Sequence, residues 1–163
     1  MATGASSPIP TTTAAVTRAA DLPVMTGLSV PDGCTVLFEG LAPNFVTTDA
    51  RMSLSDGTTT NRLYANYSGT TLGANEVVGG GSQGLGSATV AAGAAFKAAV
   101  SSQAGSYSGS VNGGAATTVS SSTMPTLTQI DIGTNVGGGR NWNQAIARIR
   151  VWKSVKPVAS LSA

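Results

Sequence analysis

The sequence predicts an all-β protein built as an antiparallel β-sandwich. The 163 residues include 21 Thr, 21 Gly and 19 Ser, but only 10 Leu, 6 Arg, 3 Lys and 2 Glu, a composition that favours strands and turns over helices. Short runs of alternating apolar residues recur roughly every 8–12 residues, with turn sequences between them. The net charge is only +2, so charge repulsion does not oppose a compact state.

The predicted strands follow one another along the chain. Residues 34–41 are apolar on both sides, which predicts a central strand. Residues 51–55 and 61–67 flank Asp56-Gly57 and predict a β-hairpin. The remaining predicted strands are residues 71–78, 84–90, 91–101, 106–111, 116–121, 127–132 and 145–152.

Glycine-rich segments separate several of these strands. Residues 79–84 and 133–139 are predicted to be flexible loops, and Asn112-Gly113-Gly114 predicts the turn of a second hairpin. A P-loop would need a Lys after its final glycine, which neither segment has. A dinucleotide-binding fingerprint would need a βαβ setting, which this strand pattern does not provide.

The residue inventory excludes several function classes. The sequence contains no histidine, which excludes a Ser-His-Asp triad, a Cys-His pair and a histidine metal site. One cysteine, Cys34, excludes an intrachain disulfide and a cysteine zinc cluster and fits assembly in a reducing cytosol. A calcium site built from loop carbonyls would leave no mark in the sequence.

The charged residues do not indicate an enzyme or a nucleic-acid-binding protein. Glu39 and Glu76 lie on predicted strands and could face one another across a sheet, but no strand places several carboxylates on one face as a glycosidase site would favour. No Lys/Arg cluster typical of nucleic-acid binding occurs, and no apolar stretch is long enough for a membrane span. We predict no enzymatic activity, catalytic residue, metal site or cofactor, and no binding to nucleic acid.

Trp142 is the candidate for carbohydrate binding. It lies in Arg140-Asn141-Trp142-Asn143, between a loop and the last predicted strand. An exposed Trp flanked by Asn and Arg side chains can stack on a sugar ring. The candidate glycan contacts are therefore Trp142, Asn141, Asn143 and Arg140. The alternative is that Trp142 fills one end of the sandwich.

The last predicted strand carries a second candidate surface. Alternation places Ile146, Arg148, Arg150 and Trp152 on one face, with Ala145, Ala147, Ile149 and Val151 on the other. A positive patch of this size is typical of a solvated strand face. Trp152 is predicted to belong to the core or to a subunit contact.

Residues 1–20 are predicted to form an extended N-terminal arm, followed by a sandwich over 21–156 and a partly ordered tail over 157–163. In residues 1–13 the only large aliphatic residue after Met1 is Ile9, between two prolines. Such a segment does not bury enough area to offset an ordering cost of about 1–2 kcal/mol per residue. Its Thr-rich backbone suits strand addition to another chain.

Four parts of the sequence resemble a known family. Residues 9–21, IPTTTAAVTRAAD, resemble a lead-in found in bacteriophage virion proteins just before a concanavalin A-like (laminin-G-like) jelly-roll domain. Residues 53–62 are similar to that family's first hairpin and residues 110–114 to its second. Residues 130–133 and 145–152 are similar to its last two strands.

The resemblance implies a concanavalin A-like jelly roll and a structural role in a bacteriophage virion. Because the domain begins close to Met1, we expect a small accessory or decoration protein on the capsid or tail surface rather than a fibre shaft. It is expected to assemble in the host bacterial cytoplasm, as a homo-oligomer attached to other virion proteins. The candidate attachment residues are Ile9, Pro10, Thr11, Thr12, Thr13, Arg148, Arg150 and Trp152.

The alternative function is a lectin-like module, such as a tail fibre or receptor-binding domain, that recognises host surface glycans. Some relatives in the resembled family bind glycans. The calcium and sugar sites of plant lectins of this fold class do not match any motif in this sequence, so no residue is assigned from them.

Overall fold

A computed structural model of the protein describes residues 23–44, 49–136 and 140–163. The predicted N-terminal arm, with Ile9, Pro10, Thr11, Thr12 and Thr13, lies outside these residues. The elements are β1 Val24–Met25, β2 Thr35–Leu41, β3 Ala50–Ser55, β4 Arg62–Ser68, β5 Thr71–Val78, β6 Gly81–Thr89, β7 Ala95–Gln103, β8 Ser106–Val111, β9 Thr117–Ser120, β10 Gln129–Asp131, β11 Ile146–Trp152 and α1 Val158–Leu161.

The strands form two antiparallel sheets packed face to face. The six-stranded sheet has the order β1-β10-β3-β4-β5-β6, and the five-stranded sheet has the order β11-β2-β7-β8-β9. The antiparallel sandwich predicted from the sequence is confirmed. β2, apolar on both sides, lies centrally between β11 and β7 as predicted.

Both predicted hairpins are present. β3 pairs with β4 and β8 pairs with β9. In the first turn, the Asp56 carboxylate accepts a hydrogen bond from the Thr58 backbone N–H at 2.9 Å, the local bond that makes Asp common in turns. In the second, Asn112 and Gly113 have φ values of 49° and 71°, which Asn and Gly tolerate best.

The glycine-rich segment 79–84 is not a loop, so that prediction is wrong. Gly79 and Gly80, with φ values of 57° and 86°, form a two-residue turn in which Val78 pairs with Gly81. A tight turn with two left-handed residues matches the twist of antiparallel strands. β6 therefore begins at Gly81, and the remaining glycines belong to a strand.

The interior contains side chains from alternate positions of both sheets, such as Phe38 and Val100 on one side and Leu54 and Leu63 on the other. The sheets approach closely at Gly109, where an added Cβ would lie 2.5 Å from the Leu85 Cβ. Any side chain at this position would force the sheets apart.

β11 contains a bulge that the sequence pattern does not show. Its register against β2 shifts between Ile146 and Arg148, which leaves one extra residue in β11. Ile146 consequently packs against the core together with Ile149 and Val151. The predicted placement of Ile146 on the same face as Arg148 is wrong.

The tail packs against the sandwich, contrary to the predicted partial order. Val158 of α1 is buried against Leu37 and Ala99 of the five-stranded sheet. The Ser162 hydroxyl donates to the Ser110 hydroxyl at 2.9 Å and accepts from the Gly113 backbone N–H at 3.1 Å. Within the described ranges, no helix has the length and apolar character needed to cross a membrane.

Candidate functional site

Trp142 is a structural residue and not an exposed platform. Its side chain is fully buried and packs against Phe96 and Tyr67, with ring centroids 5.1 and 6.5 Å away. The indole N–H donates to the Leu41 carbonyl at 2.9 Å, as a buried Trp requires. Of the two interpretations of Trp142, the indole that fills one end of the sandwich describes the structure, and the exposed sugar platform does not.

The neighbours of Trp142 do not form a sugar platform with it. Asn141 and Asn143 are exposed on either side of the buried indole. Arg140 is half-buried and forms an ion pair with Asp49. Trp142 anchors its segment to the core. Of the four predicted glycan contacts, Arg140 is the one that pairs with a charged residue, Asp49.

Arg148, Arg150 and Trp152 lie together on the outer face of the five-stranded sheet, as predicted. Arg148 donates from Nε to the Glu39 carboxylate, and Arg150 lies over the Trp152 ring, 5.5 Å from its centroid. Trp152 packs beside α1 in a small apolar cluster. These contacts hold the strand face together within the chain, and whether the face also binds another protein stays a prediction.

The outer face of the six-stranded sheet carries a polar groove of about 580 Å³. The ten described residues that line it are uncharged: Asn66, Ser68, Thr71, Gly73, Asn75, Gly84, Gly86, Ser87, Ala115 and Thr117. Side-chain amides, hydroxyls and glycine backbone therefore dominate its walls. We call this feature the amide groove.

Two asparagines at the floor of the amide groove are held in fixed positions. Asn75 Nδ2 donates to Asn66 Oδ1 at 2.6 Å. Their amides lie over Gly73, where an added Cβ would lie 2.6 Å from Asn66 Oδ1 and 2.9 Å from Asn75 Nδ2. At Gly84, an added Cβ would lie 3.7 Å from Asn75 Oδ1. The glycines thus leave space for the amides to lie flat along the sheet.

A second polar feature adjoins the groove on the same face. Arg51 and Arg62 place their guanidinium carbons 5.1 and 4.8 Å from the centroid of the Tyr64 ring, a cation–π arrangement. The Arg51 Nε lies 2.5 Å from Asp49 Oδ2, and Arg140 also pairs with Asp49. We call Arg51, Arg62 and Arg140 the arginine cluster.

Glu39 and Glu76 do not face one another, so the arrangement considered for paired carboxylates is wrong. Glu39 lies on the outer face of the five-stranded sheet, where the hydrogen bond from Arg148 lowers its pKa. Glu76 continues the inward phase of β5 and is fully buried. Within the described part of the chain neither of its carboxylate oxygens has a hydrogen-bond partner, and burial raises its pKa.

Groups able to bind a transition metal do not converge in the described ranges. No set of three or more His, Cys, Asp or Glu side chains is close enough to hold an ion there. Cys34 is fully buried, which raises the pKa of its thiol. Its Sγ lies 3.5 Å from the Ser102 hydroxyl, as expected for a cysteine that packs in a core.

Sequence reasoning missed the amide groove, although a signal for it exists. In β4 the apolar phase is Leu63, Ala65 and Tyr67, and the opposite phase contains Asn66. The outward phase of β5 contains Gly73 and Asn75. Together, the outward phases of β4 and β5 place the two side-chain amides on one face of the sheet. The inward phase of β5 likewise predicts that Glu76 is buried.

A second groove, of about 440 Å³, lies on the five-stranded sheet. Its walls combine the apolar residues Leu41, Ala95 and Phe96 with Glu39 and Lys97. This groove lacks the convergent amides and hydroxyls of the amide groove.

Comparisons with known proteins show the fold. No protein-family model and no curated protein matches the sequence. Among solved structures, a toad ovary galectin in complex with thio-digalactose is similar at 14% identity, covering 82% of this chain and 100% of the galectin, with a TM-score of 0.54. Xenopus laevis galectin-Ib is similar at 14% identity, covering 81% and 100%, with a TM-score of 0.55.

Sheep galectin-11 in complex with glycerol is similar at 9% identity, covering 83% of this chain and 100% of the galectin, with a TM-score of 0.54. The galectins have a concanavalin A-like jelly-roll fold, so the predicted fold class is confirmed. The resemblance to bacteriophage virion proteins stays a prediction.

Proposed function

We propose that this protein is a non-enzymatic, lectin-like module that binds carbohydrate in the amide groove. The observation that carries the proposal is the Asn66–Asn75 amide pair, held over two glycines on an uncharged, polar groove floor. Sugars present many hydroxyl groups and no charge unless they are substituted. A groove of amides and hydroxyls complements that chemistry.

The amide pair retains hydrogen-bonding capacity for a ligand. Each side-chain amide has two N–H donors and an oxygen with two acceptor sites. The bond from Asn75 Nδ2 to Asn66 Oδ1 uses one donor and one acceptor site. It leaves the Asn66 N–H groups and the Asn75 oxygen for sugar hydroxyls. Because the pair is already ordered, binding loses less side-chain entropy than it would for free amides.

The glycines give the groove the flat floor that a sugar ring needs. Gly73 and Gly84 carry no side chain beneath the amides. A Cβ at Gly73 would lie under 3 Å from both amides and would push them into the ligand space.

The fold likeness supports the same proposal. Two of the similar solved structures are a toad galectin bound to thio-digalactose and the same galectin bound to N-acetylgalactose. Jelly-roll sandwiches of this kind therefore hold sugar ligands in proteins of comparable length. In this chain the proposal rests on its own groove, since at 13–14% identity the fold alone is shared.

The test is a screen of immobilised neutral oligosaccharides, followed by calorimetric titration of the strongest ligand. We expect wild-type protein to bind a defined subset of glycans. Asn66→Ala and Asn75→Ala should each weaken that binding by about tenfold or more, because each removes hydrogen bonds to the sugar.

Thr118→Ala is the matched control. Thr118 is an exposed polar residue in the five-stranded sheet, whose hydroxyl pairs with Ser108, and its replacement should leave affinity unchanged. Circular dichroism verifies that every variant is folded. Absence of any glycan binding, or equal affinity of both Asn variants and wild type, would overturn the proposal.

A structural role in a bacteriophage virion rests on the sequence resemblance alone. Location at the virion surface, homo-oligomer formation and attachment through residues 9–13 or the Arg148, Arg150 and Trp152 face are predictions of that resemblance. A glycan-binding groove corresponds to its alternative function, the lectin-like module.

A further inference from the structure

We propose that the preferred glycan carries an acidic substituent, a carboxylate or a sulfate ester, that binds the arginine cluster beside the amide groove. This inference rests on the proposed function and names its ligand class. It comes from three features of the cluster: its position, its excess of positive charge and its exposure.

The cluster begins where the amide groove ends. Arg51 of β3 is the direct cross-strand partner of Asn66 of β4. Tyr64, which Arg51 and Arg62 flank, lies two residues before Asn66 on the same face of β4. A substituent on a sugar bound over Asn66 therefore points toward guanidinium groups one strand away, since cross-strand neighbours have Cβ atoms about 5 Å apart.

The cluster contains more positive than negative charge. Asp49 is shared between Arg51 and Arg140, so one carboxylate faces two guanidinium groups. Arg62 donates to the neutral Asn135 side chain at 2.6 Å. Among the described residues, Arg62 has no carboxylate within ion-pair distance.

The remaining nearby acid among the described residues, Asp131, does not restore neutrality. Its side-chain oxygens accept hydrogen bonds from Ser53, Ser55 and Gln129. Asp131 and Asp49 are two carboxylates against the three arginines of the cluster. Counted over the described part of the chain, one positive charge is left over, and the groove beside it is lined by uncharged residues.

The surroundings of Arg62 make this excess of positive charge unfavourable. Arg62 is only 6% exposed, and its Nε has no hydrogen-bond partner in the described ranges. Burial lowers the pKa of Arg62, and the positive charge of Arg51 lowers it further. An anion placed near Arg51 and Arg62 would offset the repulsion between their positive charges. Because the surroundings have a low dielectric constant, they would screen that attraction only weakly.

The other two arginines supply the accessible contact. The Arg140 side chain is 38% exposed and the Arg51 side chain 16% exposed. Guanidinium groups present paired N–H donors that match the two oxygens of a carboxylate or a sulfate. Arg140 and Arg51 would contact the anion, while Arg62 adds charge from behind.

The experiment compares one oligosaccharide in three forms: neutral, sulfated and carboxylated. Affinities are measured by calorimetry at about 0.02 and 0.15 M salt. We expect wild-type protein to bind one acidic form at least about tenfold more tightly than the neutral form at low salt, with a smaller ratio at higher salt. Whichever acidic form is preferred identifies the substituent.

Two variants with opposite charge changes test the assignment. Arg140→Gln should bring the acidic-to-neutral affinity ratio close to one, whereas Asp49→Asn should increase it. Lys153→Gln removes one positive charge from an exposed residue just after β11 and should leave the ratio unchanged. Circular dichroism verifies folding of each variant.

Two results would overturn the inference while leaving the proposed function intact: equal wild-type affinity for the neutral and both acidic forms, or a ratio that Arg140→Gln does not lower. Failure of all three forms to bind would remove both proposals.

Discussion

The two outer faces of the sandwich differ in what their outward-pointing residues do. On the five-stranded sheet, Leu37 and Ala99 point outward and are buried beneath Val158 of α1, and Glu39 is paired with Arg148. On the six-stranded sheet, the outward positions of β4 and β5 include Asn66, Gly73 and Asn75, which line an open groove.

The chemical character of the outward-pointing residues separates structural from functional surfaces in this fold. Apolar residues in the outward phase, such as Leu37, signal that another part of the chain covers the face. Amides that bond to each other, as Asn66 and Asn75 do, signal a surface kept polar and open. Changes to the covered face should alter stability, and changes to the groove should alter binding.

The largest expected effect lies in the interior, which both faces share. Trp142→Ala should lower the free energy of unfolding by about 3–5 kcal/mol, because the indole is fully buried against Phe96 and Tyr67. Denaturant unfolding measures this loss. If the variant keeps its stability but loses glycan binding, the indole is a ligand platform and the contrast between the two faces fails.

A smaller loss is expected on the covered face. Val158→Ala should lower the free energy of unfolding by about 1–3 kcal/mol, because it removes apolar contact with Leu37 and Ala99. Ser160→Ala, at an exposed site on the same helix, should change stability by less than about 0.5 kcal/mol. Glycan affinity should be unchanged in both, and a loss of affinity in Val158→Ala would couple the two faces.

The smallest expected change in the free energy of unfolding concerns Glu76, and it depends on pH. Burial raises the pKa of Glu76, so the folded state favours the protonated carboxyl. The stabilising contribution of this protonated form is complete below the ordinary Glu pKa of about 4.3. That contribution decreases as pH rises through the raised value. Glu76→Gln should therefore gain stability relative to wild type between about pH 4 and neutrality, as followed by unfolding at several pH values.

A constant difference between Glu76→Gln and wild type across this range would show that the carboxyl is not held in its neutral form. Binding in the amide groove should not change, because Glu76 points away from it into the interior.

Strand positions and hairpins could be predicted because they follow from local rules. Asp56-Gly57 and Asn112-Gly113 form turns through their own backbone preferences, and apolar residues on both sides of β2 indicate its central place. The extra residue in β11 could not be predicted, and the sequence could not decide between an exposed and a buried Trp142, since both features depend on contacts far away in sequence. Trp142, for example, bonds to Leu41, 101 positions away.

The candidate site was the less predictable part of the molecule. Trp142 is aromatic and flanked by polar residues, a pattern that indicates a sugar platform, but its side chain is buried and does not reach the surface. The amide pair depends on the registers of β4 with β5 and of β5 with β6, in which Asn66 pairs with Gly73 and Asn75 with Gly84. Composition alone does not contain those registers.

The most direct test of the account is a two-dimensional NMR titration with the strongest glycan ligand. We predict that shift changes concentrate on the backbone amides of Gly73 and Gly84 and on the side-chain amides of Asn66 and Asn75. The backbone amide of Ala99, under α1, should not move. Shift changes that cluster instead on the five-stranded sheet, around Glu39 and Lys97, would contradict the assignment of glycan binding to the amide groove.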